Sequence, residues 1–451
     1  MKLDLLIAEI GSTTTLVNGF NLNDCAEPVL IGQGLAPTSV LAGDVMIGLT
    51  AAIDDLKGRL KLAKLEWGEF MATSSAAGGL KMSVHGLVKD MTVKAAREAA
   101  LGAGAVVKMV TAGRLRGAQV KEILALQPNI ILLAGGVDDG EEEIILDNAE
   151  KLSRLQWDVP LIYAGNSALQ REITHIFKES GQEILVSANV YPQIDQLNVR
   201  PTRKLIHEVF ARHIIHAPGM EKIEQMLSDQ MMPTPGAVME ASQLLKDELG
   251  NLVVIDVGGA TTDVHSITED SPGIKPILLN PEPEAKRTVE GDLGVYVNAR
   301  HVWQLLQEDL ALDEIRKISP LPRDQQEESY VEILAEKAAL TALKRHAGEL
   351  RDYYGPTGRQ TIAEGKDLTA VKWIIGTGGA LTRLQRGREI LQGLKGPGSR
   401  LLLPPLEAKV LIDRDYIMAS AGLMSKKYPE AALSLLKKSL AVEQGQALPV
   451  I

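Results

Sequence analysis

The sequence has little cysteine, few aromatic residues and no long apolar run. Cys25 is the single cysteine among 451 residues, which excludes an intrachain disulfide framework, a zinc site of several cysteines and an iron–sulfur cluster held by this chain alone. Aromatic residues make up 4% of the chain, so aliphatic side chains must fill the core. No stretch approaches the ~18 apolar residues of a membrane span, and Asp4 and Glu9 interrupt the apolar N-terminus. We therefore expect a cytoplasmic protein without membrane contact.

Positive charge is scarce relative to negative charge. The chain has 48 Lys and Arg against 58 Asp and Glu, which gives a formal net charge of −10 and a pI of about 5.5. A nucleic-acid surface needs clustered positive charge, so this balance argues against a nucleic-acid partner. A chain of this length exceeds one simple core, and we expect two lobes or domains.

Several common catalytic and nucleotide-binding signatures are missing from the sequence. There is no GxxxxGK[ST] loop and no GxGxxG after the first predicted strand, which disfavours the common mononucleotide and dinucleotide folds. The eight histidines show neither HxH nor HExxH spacing, and no GxSxG nucleophile elbow is present. Zinc hydrolase and serine hydrolase chemistry therefore find no support.

A repeated segment is the main positive signal. Residues 5–20 read LLIAEIGSTTTLVNGF, and residues 252–266 read LVVIDVGGATTDVHS. Each copy has an apolar strand, one acid (Glu9 or Asp256), glycine, small hydroxyl residues and a second apolar strand. A strand that turns tightly at glycine offers backbone N–H groups to an anion. Two such hairpins facing each other predict a clamp on a polyphosphate.

The predicted clamp gives each residue type a role. The glycines allow close approach of the backbone, and the hydroxyl residues add donors. The carboxylates of Glu9 and Asp256 cannot contact phosphate directly, so we expect them to hold a hydrated Mg²⁺ that bridges to it. One copy alone is more often an ordinary hairpin, so the pairing carries the prediction. The predicted phosphate-contacting residues are Gly11, Ser12, Thr13, Thr14, Gly258, Gly259, Thr261 and Thr262.

Two further glycine-rich turns are candidates for ligand contact. GTGGALTRL (376–384) reads as a strand, a turn and a helix, and its Gly376, Gly378 and Gly379 can lie under an adenine ring or ribose. GGVDDG (135–140) can be a second anion-binding turn or a plain strand-to-helix turn, and the sequence leaves both readings open.

Strand and helix patterns suggest two lobes and an inserted module. Residues 129–190 alternate as strand, helix, strand, helix, strand, which predicts a βαβαβ unit with a parallel sheet. Residues 93–110 predict one alanine-rich helix. We expect a first lobe over 1–125, an inserted α/β module over 126–216, a connecting segment over 217–250 and a second lobe over 251–451.

The order of the motifs resembles that of the actin, large heat-shock chaperone and sugar kinase superfamily of two-lobed ATPases. AEIGSTTT resembles its first phosphate loop, VIDVGGATTDV its second, and GTGGALTRL its adenosine loop. MPTPGAV (232–238) resembles the mid-chain connection, and MASAGLM (418–424) the closing helix. The resemblance implies an α/β, actin-like (ribonuclease H-like) fold with a mixed sheet in each lobe, to which the βαβαβ module is added. It also implies ATP and Mg²⁺ in the cleft, with Glu9 and Asp256 as metal-organising catalytic residues.

A second group of motifs resembles a narrower family. SSAAGGLKMSVHGLV (74–88), ILLAGGVDDG, LIYAGN, HAPGM and RTVEGDLG together resemble the MutL-type accessory proteins of glutamate mutase, over essentially the whole chain. The resemblance implies an ATP-dependent chaperone or reactivating factor with weak ATPase activity. Its implied partners are the subunits of a coenzyme-B12-dependent mutase, from which damaged cobalamin is exchanged.

Two departures from the superfamily pattern leave the activity open. Glu9 stands where the superfamily usually has Asp, and Met232 aligns with a glutamate that helps the chaperones to position the hydrolytic water. Slow hydrolysis follows, or another acid such as Asp138, Asp139 or Glu240 serves. A small-molecule kinase of the same fold and a nucleotide-gated scaffold without turnover remain alternatives. The mutase served and the formation of a homodimer also stay open.

Overall fold

The structure is a computed structural model that describes residues 1–22, 27–39, 44–75, 80–155, 158–213, 220–229, 231–306, 315, 317–355, 358–396, 398 and 400–440. Cys25, residues 76–79 of the SSAAGG sequence and residues 216–219 of the HAPGM sequence lie outside these ranges. In the described part of the chain, no helix is long and apolar enough to cross a membrane.

The described strands and helices alternate along most of the chain. The strands are β1 (Lys2–Ile10), β2 (Thr14–Asn21), β3 (Val29–Pro37), β4 (Glu66–Ser74), β5 (Leu80–Gly86), β6 (Ala105–Ala112), β7 (Ile130–Leu133), β8 (Leu161–Tyr163), β9 (Ile184–Val186), β10 (Met232–Pro233), β11 (Leu252–Val257), β12 (Thr262–Ile267), β13 (Ala285–Glu290), β14 (Glu349–Gly355), β15 (Gly358–Glu364), β16 (Trp373–Thr377) and β17 (Lys409–Ile412). The helices are α1 (Val45–Arg59), α2 (Lys94–Gly102), α3 (Gly117–Leu126), α4 (Glu143–Ser153), α5 (Gln170–Ser180), α6 (Arg200–His213), α7 (Met220–Glu224), α8 (Thr234–Leu249), α9 (Ala299–Gln304), α10 (Gln325–His346), α11 (Gly379–Thr382), α12 (Gly387–Gln392), α13 (Met418–Met424) and α14 (Pro429–Ser439).

The chain divides into two compact units. Unit 1 comprises Met1–Ala77, Ala217–Leu279 and Arg287–Ile451, and unit 2 comprises Gly78–His216 and Asn280–Lys286. The sequence placed the start of the inserted module at residue 126, whereas unit 2 begins at residue 78. The difference arises because β5 and β6 pair in the sheet of unit 2, where β5 lies parallel to β7.

The first sheet of unit 1 holds the first repeated segment. Its strand order is β10-β4-β1-β2-β3; β1 is antiparallel to β2 and parallel to β4. Residues 5–8 and Ile10 of β1 are fully buried, as expected for a near-continuous apolar strand covered on both faces. Glu9 pairs with Leu16 and Ile10 with Thr15, so the strands connect through the turn at residues 11–14.

The second sheet of unit 1 repeats this arrangement. Its order is β13-β12-β11-β16-β17, and β11 is antiparallel to β12 and parallel to β16. The apolar side of β11 packs in a core with α10, through residues such as Val253, Ile255 and Leu334. β11 therefore occupies the place of β1, and Asp256 the place of Glu9. Two mixed sheets of the same strand order confirm the expected actin-like α/β fold.

Unit 2 contains a fully parallel sheet of order β6-β5-β7-β8-β9. The run β7-α4-β8-α5-β9 confirms the predicted βαβαβ unit. Taken in chain order, the strands follow the 2-1-3-4-5 pattern of a doubly wound α/β module. One core of this unit is built from aliphatic side chains of β7, α4 and α5 around Tyr163 and Phe177.

The predicted helix over 93–110 is wrong in its second half. The helix α2 ends at Gly102, and Ala105–Ala112 form strand β6. Gly104 adopts φ +90°, a left-handed conformation that ends helices and that glycine tolerates. The β-branched residues that follow then pair with β5, because a sheet edge was available.

In the GGVDDG turn of unit 2, the carboxylate of Asp138 is bound by neighbouring hydrogen-bond donors. Asp138 Oδ1 accepts hydrogen bonds from the Ser167 N–H at 2.9 Å and from Asn189 Nδ2 at 2.9 Å. These bonds hold the pKa of Asp138 below its usual value against the opposing effect of burial. An anionic ligand would meet this negative charge, so the structure favours a plain strand-to-helix turn.

Candidate functional site

The two repeated hairpins close with the same backbone bond. The Gly11 N–H donates to Thr14 O at 2.9 Å, and the Gly258 N–H donates to Thr261 O at 2.9 Å. A Cβ at Gly11 would lie 2.6 Å from Thr14 O, and one at Gly258 would lie 3.1 Å from Thr261 O. Contacts this close leave little room for a side chain. Crowding within each turn therefore explains why both copies carry glycine at this position.

The tips of the two hairpins meet in one cleft of unit 1. A Cβ at Gly259 would lie 2.6 Å from Thr13 Oγ1, so Thr13 of the first hairpin contacts the backbone of the second. The cleft encloses about 1200 Å³ of empty space, including its open mouth. Its lining includes Glu9, Gly11, Ser12, Thr13, Thr14, Thr234, Pro235, Asp256, Gly258, Gly259, Ala260, Thr261, Asp263, Tyr296, Val331, Gly379, Ala380, Arg383, Leu384 and Tyr416.

Backbone N–H groups of both turns are available to a ligand. The N–H groups of Ser12, Thr13, Gly259 and Ala260 donate no hydrogen bond to any residue that the structure describes. Successive unpaired N–H groups at a turn form a concavity for anions. These backbone donors are therefore the groups to which an anion in this cleft would bond.

Some hydroxyl groups that the sequence assigned to phosphate are already engaged. Ser12 Oγ donates to Ser75 O at 2.8 Å. Thr262 is fully buried, its Oγ1 donates to Leu293 O at 2.7 Å, and it does not line the cleft. Thr262 therefore supports the hairpin from behind, because its position in β12 turns the side chain away from the cleft.

Asp256 faces the cleft with an unpaired carboxyl. It is partly exposed, lines the cleft, and accepts no hydrogen bond from the part of the chain that the structure describes. Burial in the cleft raises its pKa to about 8, and the negative charges of Asp263 and Glu9 add to this effect. An acid in this state binds a proton or a cation favourably.

Asp263 lies directly opposite Asp256 in the β11–β12 register. It is buried, and Arg287 Nε donates to its Oδ1 at 2.7 Å. Thr261 Oγ1 donates to Oδ2 at 3.1 Å, so this hydroxyl too is engaged. Sequence reasoning did not select Asp263, although hairpin pairing around the residue 258–261 turn signals that it faces Asp256.

Glu9 is buried, and one oxygen of its carboxyl is bonded to the first sheet and to helix α13. Its Oε1 accepts hydrogen bonds from Asn18 Nδ2 at 3.3 Å, from the Ser420 N–H at 3.1 Å and from Ser420 Oγ at 2.5 Å. Its Oε2 accepts none from the described residues. Burial raises the pKa of Glu9 to about 7, while the Ser420 hydroxyl opposes the rise. The Glu9 carboxyl thus joins the first hairpin to helix α13.

Asp413 is a second buried acid that the sequence reasoning missed. Its carboxylate accepts from the N–H groups of Ile417 and Met418 at 3.0 and 2.9 Å, from Thr377 Oγ1 at 3.0 Å and from Ser439 Oγ at 2.5 Å. Burial raises its pKa against these bonds. An acid a few residues before the small-residue helix MASAGLM was the available signal, since acids commonly cap helix starts.

The acids of the cleft suit a hydrated cation better than a cage of protein ligands. Among the described residues, no group of three or more His, Cys, Asp or Glu side chains is placed to hold a metal ion. Mg²⁺ is usually bound through one or two carboxylates, water and substrate phosphates. The unpaired carboxyl of Asp256 and Oε2 of Glu9 fit that requirement.

The third glycine-rich turn contributes to the cleft through its helix. Gly379 lines the cleft, whereas Gly376 and Gly378 do not. A Cβ at Gly376 would lie 2.6 Å from Leu391 Cδ1 in the core, and one at Gly378 would lie 2.5 Å from Asp256 Oδ1. Gly378, at φ +84°, therefore makes room for the Asp256 carboxyl, and Gly376 for the core.

Arg383 and Tyr416 are further cleft residues that sequence reasoning missed. The guanidinium carbon of Arg383 lies 5.6 Å from the centre of the Tyr416 ring, within the range of a cation–π contact. Within the described ranges, this guanidinium makes no hydrogen bond or ion pair. Arg383 belongs to the GTGGALTRL motif, so the sequence offered a signal for its place in the cleft. Tyr416, at φ +46°, had no such signal, because tertiary packing sets its conformation.

The MPTPGAV segment is more than a connection. Met232 is fully buried in β10 and pairs with Thr73 of β4. Thr234 and Pro235 line the cleft, and Thr234 Oγ1 donates to Thr73 Oγ1 at 3.1 Å. Glu240 does not line the cleft, and Asp138 and Asp139 belong to unit 2.

Comparison with known proteins gives one family and several distant structural likenesses. The Acidaminococcus fermentans (R)-2-hydroxyglutaryl-CoA dehydratase component A is 9% identical, with a TM-score of 0.32 over 97% of this chain and 99% of that one. A diol dehydratase-reactivating factor in nucleotide-free form is 10% identical, with a TM-score of 0.35 over 95% of this chain and 100% of that one. TM-scores this low support no inference.

The sequence comparisons are much closer. A family model described as MutL protein matches residues 5–440. Protein MutL of Clostridium tetanomorphum is 35% identical over 463 residues, which cover 96% of this chain and 98% of that relative. Both matches agree with the MutL-type resemblance carried by the sequence motifs. The chain therefore belongs to the MutL protein family.

Proposed function

We propose that the cleft binds ATP with Mg²⁺, hydrolyses it slowly, and uses it to drive a chaperone or reactivating activity on a coenzyme-B12-dependent mutase such as glutamate mutase. The observation that carries the nucleotide part is the pair of opposed turns beside Asp256, whose N–H groups at Ser12, Thr13, Gly259 and Ala260 donate to none of the described residues. Polyphosphate oxygens would accept from the turns, and Mg²⁺ would neutralise part of their charge.

The remainder of the cleft suits the nucleoside. Gly379 and Ala380 present little side-chain bulk, and Leu384 and Val331 add apolar surface. The guanidinium of Arg383 lies over the Tyr416 ring and makes no hydrogen bond or ion pair with the described residues, so it offers a flat cation for stacking on a base. A purine nucleotide fits this combination of an apolar slot and a basic plane next to a polar turn.

Slow hydrolysis follows from the acids that are present. A general base must reach the attacking water through an oxygen that is free to accept its proton. Oε1 of Glu9 is already held by Ser420 and Asn18, and Met232 is apolar and buried. Asp256 and Oε2 of Glu9 are the acceptors left for metal or water. These two groups must therefore both hold the metal and accept the proton of the attacking water.

The proposed partner rests on the family. Membership of the MutL family, with the motifs that resemble the accessory proteins of glutamate mutase, supports a mutase as the object of the activity. Closure of two lobes around ATP can be coupled to a partner because any partner that prefers one state shifts the equilibrium between them. The proposal needs no acceptor pocket, which a small-molecule kinase would require.

Calorimetry with the purified chain tests the nucleotide site. We expect Mg²⁺-dependent binding of ATP that Asp256→Ala abolishes, because the carboxyl that faces the cation is lost. Asp54→Ala is the matched control, since Asp54 is an exposed acid of α1 paired with Lys57. Equal affinity of Asp256→Ala and the wild type would contradict the assigned site.

Phosphate release with and without the mutase tests the activity. We expect slow release of inorganic phosphate that rises when the mutase and its cobalamin are present. Transfer of phosphate to a small metabolite would instead identify a kinase. Tight ATP binding without phosphate release in either condition would identify a nucleotide-gated scaffold.

Arg383→Leu tests the assignment of the nucleoside slot. We expect weaker binding of both ATP and adenosine, because the cationic plane is replaced by an aliphatic side chain. Arg386→Leu is the control: Arg386 is a nearby surface arginine paired with Glu389 and Glu336. Unchanged adenosine binding in Arg383→Leu would remove Arg383 from the slot.

A further inference from the structure

Residues 290–298 (EGDLGVYVN), here called the brace, hold the backbone of the second hairpin turn. The Val295 N–H donates to Gly258 O at 3.2 Å. The N–H groups of Tyr296 and Val297 both donate to Gly259 O, at 2.9 and 2.8 Å. The brace thus binds the carbonyl groups of the turn, which leaves the other side of each peptide to the cleft.

Two side chains complete this contact. Asn298 Nδ2 donates to Ala260 O at 2.9 Å and to Gly291 O at 2.9 Å. Thr262 Oγ1 donates to Leu293 O at 2.7 Å. One amide therefore joins the apex of the turn to the start of the brace, and one buried hydroxyl joins β12 to its middle.

The direction of the N–H groups follows from these bonds. A trans peptide is planar, so the C=O of one residue and the N–H of the next point to opposite sides. Because the carbonyls of Gly258, Gly259 and Ala260 are bound to the brace, the N–H groups of Gly259, Ala260 and Thr261 point away from it. These residues line the cleft.

The brace also approaches the turn more closely than a side chain would allow. A Cβ at Gly294 would lie 2.3 Å from the Ala260 carbonyl carbon and 2.4 Å from its oxygen. A Cβ at Gly291, in the same segment, would meet nothing within 4 Å. The chain thus offers two glycines of the brace that differ in this contact.

An ion-pair cluster anchors the start of the brace to helix α10. Arg345 Nη1 donates to Glu290 Oε2 at 2.7 Å and to Asp292 Oδ1 at 2.8 Å, and its Nη2 donates to Asp292 Oδ2 at 3.0 Å. The carboxylates raise the pKa of Arg345 well above its usual range, so Arg345 keeps its positive charge in this ion-pair cluster. The brace is thereby tied to a helix whose apolar side packs in the core of the second sheet.

We infer that the brace is a positioning element that aims the N–H groups of the second hairpin turn at the polyphosphate of the bound nucleotide, with Gly294 and Asn298 as its positioning residues. The inference rests on the proposed nucleotide site and assigns a role to the RTVEGDLG motif within it. No described hydrogen bond joins the brace to Gly379 or Arg383, whereas three of its N–H groups and Asn298 bond to the turn. The brace therefore acts mainly on affinity for phosphates.

Gly294→Ala and Gly291→Ala, compared by calorimetry with MgATP and by competition with adenosine, test the inference. Gly294→Ala displaces Ala260, and loss of one or more charge-assisted bonds should weaken ATP binding by roughly tenfold to a hundredfold. We expect adenosine affinity to stay within about twofold, because no described hydrogen bond joins the brace to Gly379 or Arg383. Gly291→Ala should bind both ligands as the wild type does.

Asn298→Asp is a second variant that tests the same inference if Gly294→Ala does not fold. This change keeps the shape of the side chain but replaces the donor to Ala260 O and Gly291 O by an acceptor, so ATP affinity should again fall without loss of adenosine affinity. Wild-type ATP affinity in both folded variants, or equal loss of ATP and adenosine affinity, would overturn the inference alone. Failure of the wild type to bind any nucleotide would overturn the proposed site and the inference with it.

Discussion

Replacing Asp256 by asparagine tests the electrostatics of the cleft in protein that is free of nucleotide. Burial first, and then the charges of Asp263 and Glu9, raise the pKa of Asp256 from 3.8 to about 8. An acid whose pKa is higher in the folded state favours folding below its unfolded pKa. That contribution is lost as the pH rises through the folded pKa. The contribution of Asp256 to the stability of the wild type should therefore be lost between pH 3.8 and about pH 8.

The magnitude follows from the size of the shift. One pKa unit corresponds to about 1.36 kcal/mol, so the unscreened cost of ionising Asp256 above pH 8 is of order 5 kcal/mol. The carboxyl is partly exposed to the cleft, and solvent screening reduces this cost. We expect Asp256→Asn to raise the free energy of unfolding by about 2 kcal/mol at pH 8 and by roughly a third of that at pH 5.

Urea denaturation at both pH values measures the effect, followed by tryptophan fluorescence and circular dichroism. Asp263→Asn is a contrasting variant, because it removes a charged partner of the buried Arg287. It should destabilise the protein by about 3–5 kcal/mol. If Asp256→Asn leaves the stability at pH 8 unchanged or lowers it, or if its effect does not depend on pH, the electrostatic reasoning is refuted.

Two further substitutions test the packing around helix α13. Glu9→Asp withdraws the carboxylate from Ser420 and should lower the free energy of unfolding by about 1–3 kcal/mol, as measured by urea denaturation; unchanged stability would mean that the contact contributes nothing. Gly422→Ala places a Cβ 1.8 Å from Ala237 O and should destabilise by roughly 1–3 kcal/mol or more, seen as a lower thermal midpoint. Gly273→Ala, where a Cβ meets nothing within 4 Å, is its control.

The repeated hairpins could be predicted because their determinants are local. An apolar run, one glycine and a return strand specify the turn, and the Gly11 and Gly258 bonds are the same in both copies. The βαβαβ unit over 129–190 was predictable for the same reason, since each strand and helix carries its own periodicity. Predictions failed where a residue needed a distant partner. The strand at Ala105–Ala112 was read as helix because the β5 edge with which it pairs leaves no trace in its own sequence.

The cleft shows the same division. Glu9, Asp256 and the glycines of the two turns were recognisable from the motif alone. Arg383 lay within GTGGALTRL, but its contact with Tyr416 was not recognisable, because it joins the residue after α11 to a turn after β17. The brace was visible as an unusual sequence without a role. Its partner is the turn at residues 258–261, and Asn298 lies 38 residues after Ala260, to which it bonds.

The sequence by itself determined the two acid-bearing hairpins, the α/β class and the family, because these depend on residue order and short-range periodicity. The tertiary structure decided what those hairpins do. It turned Glu9 toward Ser420, 411 positions away in the chain, left the carboxyl of Asp256 unpaired beside Asp263, and bound the carbonyls of the second turn to the brace. The direction of the Glu9 side chain, the protonation of Asp256 and the partner of the second turn all depend on neighbouring residues. Only chain folding brings those neighbours within a few ångströms, and no local pattern encodes them.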